Sequence, residues 1–126
     1  MVVGLGIDIC ENDRISEMLG KYKERFLKRV FTNDEVQYCL RKKDPTPHLA
    51  ARFAVKEAFI KALGMPRDLT ISYRDVGLKG SEGKKDIQVT GKLADMLATK
   101  RVTSILFSIS HARDYSNACV VLERAN

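Results

Sequence analysis

Alternating apolar and polar positions at the N-terminus predict a β-strand. Large apolar side chains occupy every second position on one face of this strand: Val3, Leu5, Ile7 and Ile9. The other face carries Gly4, Gly6 and Asp8. The glycines allow another segment to approach the backbone closely, and aspartate is a poor strand residue. Asp8 is therefore a candidate functional residue; the alternative is that it ends the strand and helps to cap the next helix.

The longest helical pattern of the chain runs from Pro47 to Gly64. Thr46 is predicted to cap the first turn, with Pro47 at the first helical position. Gly64 suits the left-handed residue that ends a helix, and Pro66 prevents its continuation. Large apolar side chains gather on one arc of this helix, as expected of a buried stripe: Leu49, Phe53, Phe59, Ile60 and Leu63.

The charges of this central helix are not placed as in a simple amphipathic helix. Four of them lie within or beside the apolar arc: Arg52, Lys56, Glu57 and Lys61. A helix with cations among its core residues is expected to direct them at an anion. Alternatively, Glu57 and Lys61 form an i,i+4 ion pair that stabilises the helix by roughly a few tenths of a kcal/mol. Lys56 has no partner that the sequence identifies.

The segment before the central helix predicts two further helices. The first begins at Asn12 or Asp13, which both serve as helix caps. Its apolar residues have core spacing: Ile15, Met18, Leu19 and Tyr22. Cations lie beside that stripe: Arg14, Lys21 and Arg25. A basic face with an adaptable methionine suits an acidic helix, with a solvated surface as the alternative. The second helix begins with a capping box from Thr32 to Glu35, which is a sufficient structural reason for Glu35.

After Pro66 the pattern changes to a period of two. A helix is predicted at 92–101. Short strands are predicted in this half of the chain, and the last two form a hairpin: 69–73, 75–79, 87–90, 104–110 and 117–123. Because βαβ units do not alternate throughout, we predict the α+β class, with helices on a largely antiparallel sheet. One domain is expected over residues 1–126.

Composition and charge indicate the cellular compartment and the kind of partner. The chain of 126 residues has a formal net charge of +6 and a pI near 9.3, which favours an acidic partner or substrate. No apolar run has membrane-spanning length, and the first residues lack the pattern of a signal peptide. We expect a cytoplasmic protein without a membrane partner. An odd number of widely spaced cysteines favours reduced, buried thiols: Cys10, Cys39 and Cys119.

Two carboxylates, Asp8 and Glu57, stand where local structure does not require them. Mg²⁺ is usually held by one or two carboxylates and completed by water and substrate phosphates, so the pair predicts a magnesium site. Three cations of the central helix would then face those phosphates: Arg52, Lys56 and Lys61. His111 ends a predicted strand beside a turn, a position from which it can contact a ligand.

Three motifs resemble, in order and spacing, those of the holo-acyl-carrier-protein synthases, the short single-domain branch of the 4′-phosphopantetheinyl transferases. They are Gly6-Ile-Asp8-Ile, Arg52-Phe-Ala-Val-Lys56-Glu57-Ala-Phe-Ile-Lys61-Ala and Ser108-Ile-Ser-His111. The resemblance covers essentially the whole chain. One departure follows the central helix, where Leu63-Gly-Met-Pro66 replaces the usual Phe-Gly-Thr-Gly.

The resemblance implies that Asp8 and Glu57 hold Mg²⁺, which also binds the pyrophosphate of coenzyme A. Contacts to coenzyme A would come from Arg52, Lys61, Gly64 and His111. Among these, Lys61 would bind the pyrophosphate, while Arg52 and His111 would bind the 3′-phosphate end. The catalytic set implied is Asp8, Glu57 and Lys61.

The implied reaction is attack by a serine hydroxyl of apo acyl carrier protein on the β-phosphorus of coenzyme A. The phosphopantetheine arm is transferred, 3′,5′-ADP leaves, and fatty acid biosynthesis is supported. The base is either Glu57 or a water held by the metal or by Glu35. The acidic recognition helix of the carrier protein would dock on Arg14, Met18, Lys21 and Arg25. The family assembles as a homotrimer with sites between subunits.

Two other functions are compatible with parts of the sequence. The pI and the basic run from Lys21 to Lys43 suit a nucleic-acid-binding module. Against that function, the chain has no recognisable nucleic-acid motif, and an acidic pair beside the basic helix would repel a phosphate backbone in the absence of metal. A coenzyme A-binding acyltransferase, which needs no metal, is the other alternative. We expect no nucleic-acid partner.

Overall fold

The framework of the protein is a three-stranded antiparallel sheet with one long helix packed on it. The structure is a computed structural model that describes residues 1–64, 70–80 and 83–126. Its elements in chain order are β1 (Val2–Glu11), α1 (Asn12–Tyr22), α2 (Glu24–Val30), α3 (Asn33–Leu40), α4 (Thr46–Ala62), a 3₁₀ helix (Tyr73–Asp75), β2 (Val76–Lys79), β3 (Asp86–Val89), α5 (Gly91–Thr99), β4 (Ser104–His111) and β5 (Tyr115–Glu123).

The sheet order is β1-β5-β4, and both pairings are antiparallel. The predicted final hairpin is confirmed as β4 and β5, with His111 opposite Ser116. Asp8 of β1 lies opposite Ala118 of β5. A separate hairpin pairs β2 with β3, which overlap the strands predicted at 75–79 and 87–90. This architecture confirms the α+β prediction.

The glycine face of β1 packs directly against α4. A methyl group added at Gly6 would collide with the carbonyl oxygen of Ala58, and one at Gly4 with that of Ala62. The close approach predicted from the two glycines is therefore made by the central helix. The opposite, apolar face is not covered within the chain: Leu5, Ile7 and Ile9 have exposed fractions of 65%, 66% and 62%.

Helix α4 is buried on nearly every side rather than along one stripe. Its alanine side, which the pattern left opposite the apolar arc, packs on the sheet, and Ala54 and Ala58 have no exposed surface. Leu49 and Phe59 are equally buried, whereas Phe53 is only half-buried. The small side chains bring the helix axis close to the sheet, and the larger ones fill the space beneath the other helices.

The end of α4 matches the prediction from the sequence, whereas the capping of its beginning does not. Gly64 has a φ of +72°, the left-handed conformation predicted for it. Thr46, however, does not cap the helix with its hydroxyl: it is the first helical residue, and its backbone N–H donates to Asp44 Oδ1 at 3.1 Å. Pro66 lies outside the described residues.

Helix α1 begins at Asn12, as predicted, but its cap differs from the prediction. The capping position is Glu11, and no side chain caps the helix there. The Asn12 side chain turns inward instead, donating to the carbonyl of Arg113 at 3.3 Å and accepting from Ser116 Oγ at 2.8 Å. Asn12 therefore joins α1 to the β4–β5 turn, a contact between residues distant in sequence.

One predicted strand is wrong and one helix was not predicted. Residues 70–72 are not in a strand, because Ser72 Oγ accepts from the backbone N–H of Arg74 at 3.2 Å and begins the 3₁₀ helix. Leu69 and part of the turn before β3 lie outside the described residues. Lys23, with a φ of +49°, separates α1 from α2. Helix α2 buries Phe26, Leu27 and Val30 within the basic segment.

Candidate functional site

The contact between β1 and α4 brings the predicted acidic and basic groups together. Lys61 Nζ donates to Asp8 Oδ1 and to the carbonyl of Ile7, each at 3.1 Å. Within the part of the chain that the structure describes, the ion pair of Lys61 is formed with Asp8 and not with Glu57. The i,i+4 pair considered from the sequence is therefore not the one formed.

The Asp8 carboxyl lies in an environment that disfavours its charge. Burial raises the pKa of Asp8, Lys61 opposes this through its hydrogen bond and its charge, and the charge of Glu57 raises the pKa further. The two carboxylates are therefore electrostatic neighbours. Glu57 is 7% exposed, and its Oε1 accepts a hydrogen bond from Tyr73 Oη at 2.5 Å.

A magnesium ion fits this donor set on chemical grounds. Mg²⁺ is held by one or two carboxylates when water and substrate phosphates supply the other oxygens. A dication beside Asp8 and Glu57 would favour the ionised Asp8 that burial disfavours. Among residues 1–64, 70–80 and 83–126, no group of three or more His, Cys, Asp or Glu side chains could hold a metal. Within those residues, Asp8 and Glu57 are the carboxylates available to such a site, and water and substrate oxygens would complete the coordination.

A second cluster, which we name the Tyr38 cluster, gathers cations and imidazoles around one ring: Tyr38, Lys42, His48, Arg52, Lys85 and His111. The Arg52 guanidinium lies 4.2 Å from the Tyr38 ring centroid, and Lys42 Nζ lies 4.8 Å from it. Arg52 is 3% exposed, and its buried Nε has no hydrogen-bond partner among the described residues. A buried cationic donor without an acceptor is suited to bind an anion.

The two histidines of the Tyr38 cluster lie next to each other, with ring centroids 6.1 Å apart. Burial, followed by the charges of neighbouring cations, lowers the pKa of both His48 and His111. His111 Nδ1 is 3.2 Å from Ser116 Oγ, which fixes the ring at the end of β4. The lowered pKa favours the neutral form of each imidazole, which can still hydrogen-bond a bound anion.

A groove of about 500 Å³ lies between α1, α2 and α4. Its walls combine cations with apolar and aromatic side chains: Arg14, Ile15, Met18, Tyr22, Arg25, Phe26, Arg29, Val30, Phe53 and Tyr73. Three of the four predicted docking residues line it. The fourth, Lys21, does not, and its ammonium lies 6.0 Å from the Tyr22 ring centroid. Because Tyr73 also contacts Glu57, this groove reaches the carboxylate pair.

Lys56, for which the sequence identifies no partner, does not face phosphates as expected but is bound inside the protein. Its Nζ donates to Glu35 Oε1 at 2.6 Å, and both side chains are fully buried. Burial lowers the pKa of Lys56, and Glu35 opposes that shift. The Glu35 carboxylate also accepts from the backbone N–H groups of Thr32 and Leu78. Glu35 is therefore not available to hold the catalytic water considered from the sequence.

Of the Tyr38 cluster, sequence reasoning singled out Arg52 and His111 and missed the other four residues. His48 precedes Arg52 by one helical turn, so its helix face could have been anticipated. Tyr38 and Lys85 come from other elements and carry no local signal. Gly64, predicted to contact phosphates, is exposed at the end of α4, and its backbone N–H donates to the carbonyl of Lys61 at 2.9 Å. The loop that follows it, residues 65–69, lies outside the described residues.

The fold and the clustered side chains define a transferase class. The family model of the 4′-phosphopantetheinyl transferase superfamily matches residues 4–120. Relatives over the same span carry one name, "Holo-[acyl-carrier-protein] synthase". The protein of Leptospira biflexa is 49% identical over 121 residues, 95% of each chain, and that of Syntrophus aciditrophicus 38% over 124 residues, 98% of this chain and 97% of the relative. The chain therefore belongs to the holo-[acyl-carrier-protein] synthase family of enzymes.

Solved structures show the same fold. The holo-[acyl-carrier-protein] synthase of Neisseria meningitidis superposes with a TM-score of 0.87 at 31% identity, covering 98% of this chain and 100% of that one. The Bacillus anthracis enzyme, solved in complex with coenzyme A (3′,5′-ADP), gives a TM-score of 0.79 at 32% identity and 99% coverage of both chains. Within the described residues, no helix combines the length and apolarity needed to cross a membrane.

Proposed function

We propose that this protein transfers the 4′-phosphopantetheine arm of coenzyme A to a serine of apo acyl carrier protein in a Mg²⁺-dependent reaction that releases 3′,5′-ADP. The observation that supports this most strongly is the convergence of Asp8, Glu57 and Lys61 beside a basic groove. Supply of holo carrier protein for fatty acid biosynthesis is the corresponding cellular role. We propose that the whole chain, residues 1–126, serves as one transferase domain.

Asp8 and Glu57 would hold the magnesium ion, which when bound neutralises charge on the pyrophosphate oxygens. Lys61 is half exposed and already at the carboxylate pair, so its ammonium can move to a pyrophosphate oxygen when coenzyme A binds. These groups stabilise the charge that develops on the leaving 3′,5′-ADP. The chain's remaining task is to orient the serine and the phosphorus for in-line displacement.

The Tyr38 cluster is proposed to bind the 3′-phosphate end of coenzyme A. Among the described residues the buried Nε of Arg52 has no hydrogen-bond partner, and Ser116 positions the imidazole of His111. Lys42 and Lys85 add positive charge around the same ring. A phosphate carries enough negative charge and enough acceptor oxygens to satisfy these donors together.

The serine proton is proposed to pass to the Glu57 carboxylate. Burial and existing hydrogen bonds exclude Glu35 from this role. Glu57 contacts Tyr73 of the groove wall, so it lies on the side from which a carrier-protein serine would arrive. As the serine oxygen bonds to the β-phosphorus, the bond to 3′,5′-ADP breaks and the leaving phosphate keeps the electron pair.

The proposed function is tested by incubating apo acyl carrier protein with coenzyme A, Mg²⁺ and this protein. We expect the carrier mass to increase by one phosphopantetheine group, and EDTA to prevent the increase. Undiminished transfer in EDTA would contradict the magnesium assignment and favour a metal-independent enzyme. Absence of transfer to any apo carrier would contradict the proposed function itself.

The groove between α1 and α2 is proposed as the dock for the acidic helix of the carrier protein. Reversing one of its charges, Arg25→Glu, is expected to raise the KM for carrier about tenfold or more, equivalent to about 1.4 kcal/mol, with little change in kcat. Arg25 is preferred to Arg14 for this test, because the charge of Arg14 also acts on Asp8. Steady-state kinetics with varied carrier concentration measures the effect.

The matched control is Lys100→Glu, the same change of charge at an exposed residue after α5. It should leave both constants at their wild-type values. An unchanged KM in Arg25→Glu, or an equal increase in Lys100→Glu, would contradict the docking assignment, since the first shows no local contact and the second shows only an effect of net charge.

A homotrimer built on the exposed sheet face is proposed as the functional assembly. Leu5, Ile7 and Ile9 form a continuous apolar row, and Leu106 of β4 is 53% exposed. A contiguous apolar face of this kind marks an interaction surface. Packing three such sheets together would bury it, and the active sites would lie between subunits.

The cytoplasm is proposed as the compartment. Cys10, Cys39 and Cys119 are free thiols, which is compatible with a reducing environment.

Ile7→Glu is expected to convert the trimer into monomers, because it places a charge in the centre of the proposed interface without touching the core of the chain. Light scattering coupled to gel filtration measures the mass, with Ile7→Val as the control that should remain trimeric. A trimeric Ile7→Glu protein, or a monomeric wild type, would contradict this assembly.

A further inference from the structure

The buried pair of Lys56 and Glu35 has no task in the proposed chemistry, yet it adjoins the site. Lys56 immediately precedes Glu57 on α4. Its ammonium has three oxygen acceptors: Glu35 Oε1 at 2.6 Å, the carbonyl of Tyr73 at 3.0 Å and the carbonyl of Val76 at 2.5 Å. Lys56 therefore binds the backbone at both ends of the short 3₁₀ helix.

Tyr73 is bound at its two ends by neighbouring residues of α4. Its carbonyl accepts from Lys56, and its hydroxyl donates to Glu57 Oε1 at 2.5 Å. The same 3₁₀ turn is fixed from another side, because Arg74 Nε donates to the carbonyl of Phe31 at 3.0 Å. The position of the Tyr73 hydroxyl is thus set by partly buried contacts to α4 and to the carbonyl of Phe31.

The Tyr73 ring also forms part of the groove wall. It packs against Phe53 with ring centroids 5.6 Å apart, and the Arg14 guanidinium lies 6.0 Å from the Phe53 centroid. Tyr73 therefore joins the groove to the Glu57 carboxylate: its ring contacts the former and its hydroxyl the latter.

We propose that Tyr73 is a positioning residue for Glu57, holding this carboxylate in the orientation that binds the metal. The inference rests on the proposed function, in which Glu57 is a magnesium ligand. A carboxylate without such a bond can rotate about its side-chain torsions, and that freedom is lost when a metal binds. Hydrogen-bond partners of ligating side chains typically change metal affinity or activity by about 10- to 100-fold.

Tyr73→Phe tests this inference because it removes the hydroxyl and retains the ring and the carbonyl. Binding of Mn²⁺ in the presence of coenzyme A, followed by the electron paramagnetic resonance signal of free Mn²⁺, should weaken by about 10- to 100-fold. Transfer should fall at limiting Mg²⁺ and recover at high Mg²⁺, with the KM for carrier unchanged. The thermal midpoint should stay close to that of the wild type, since the bond from Lys56 to the carbonyl remains.

Tyr115→Phe removes a hydroxyl from an exposed tyrosine of β5 and should leave Mn²⁺ binding unchanged. Wild-type Mn²⁺ affinity in Tyr73→Phe would overturn the inference. A higher KM for carrier with unchanged Mn²⁺ affinity would also overturn it, because Tyr73 would then act in carrier binding and not in positioning Glu57. If the wild-type protein itself neither binds Mn²⁺ nor modifies the carrier, the proposed function fails instead, and the two failures are distinguished.

Discussion

Glu57→Gln is expected to abolish magnesium-dependent transfer while the protein remains folded. The substitution keeps the size of the side chain and an oxygen that can accept the Tyr73 hydrogen bond, but it removes the negative charge that would bind a dication and accept the serine proton. We expect kcat/KM to fall by at least about a thousandfold, which corresponds to roughly 4 kcal/mol of transition-state stabilisation.

The measurement is the initial rate of carrier modification at saturating coenzyme A, with circular dichroism to verify folding. Asp95→Asn makes the same change from carboxylate to amide on the exposed side of α5 and should retain the full rate. A normal rate for Glu57→Gln would remove Glu57 from the reaction and leave its bond to Tyr73 as a purely structural contact.

Lys56→Met is expected to produce the largest loss of stability among single substitutions on α4. It leaves the Glu35 carboxylate buried without its cation, and it deprives the Tyr73 and Val76 carbonyls of their shared donor. Removing one partner of a fully buried ion pair typically costs about 3–5 kcal/mol. That cost is a large part of the stability of an ordinary domain, about 5–15 kcal/mol.

Urea unfolding followed by circular dichroism measures this loss, with Lys61→Met as the control. Lys61 lies on the same helix and also forms an ion pair, but its side chain is 56% exposed, so its removal should cost no more than about 1 kcal/mol. In the double variant Glu35→Gln/Lys56→Met, the loss should be smaller than the sum of the single losses, because no unpaired charge remains. Equal losses for Lys56→Met and Lys61→Met would contradict the assignment of a buried pair.

Local signals in the sequence were sufficient for much of the fold. The capping box of Thr32 and Glu35 is present, and Gly64 adopts the left-handed conformation that ends α4. The failures have physical reasons of two kinds. Ser72 began a 3₁₀ turn where alternation suggested a strand, and Asn12 used its side chain for a distant contact instead of a cap. Ser72 makes a local hydrogen bond and Asn12 makes hydrogen bonds to residues distant in sequence. The pattern of apolar and polar positions does not predict which kind of hydrogen bond a polar side chain will make.

The candidate site was predictable to the extent that its residues stood out from their local structure. Asp8 lies on a glycine-lined strand and Glu57 beside an apolar arc, where local structure requires neither carboxylate. The fold places the two as neighbours. Lys56 could not be paired from the sequence, because Glu35 lies on another helix and its capping role already explained it. The Tyr38 cluster was likewise assembled from separate elements, and only Arg52 and His111 had been singled out.

The contact of β1 with α4 limits the substitutions that this protein can accept. Main chain meets main chain there, because Gly6 faces the carbonyl of Ala58 and Gly4 that of Ala62. A side chain at either glycine would have to displace a whole helix, since no rotamer could relieve the collision. The distance between the strand that carries Asp8 and the helix that carries Glu57 is consequently fixed by this backbone contact. Substitutions in the groove that spare Tyr73 can therefore change the choice of partner while the backbone positions of Asp8 and Glu57 stay the same.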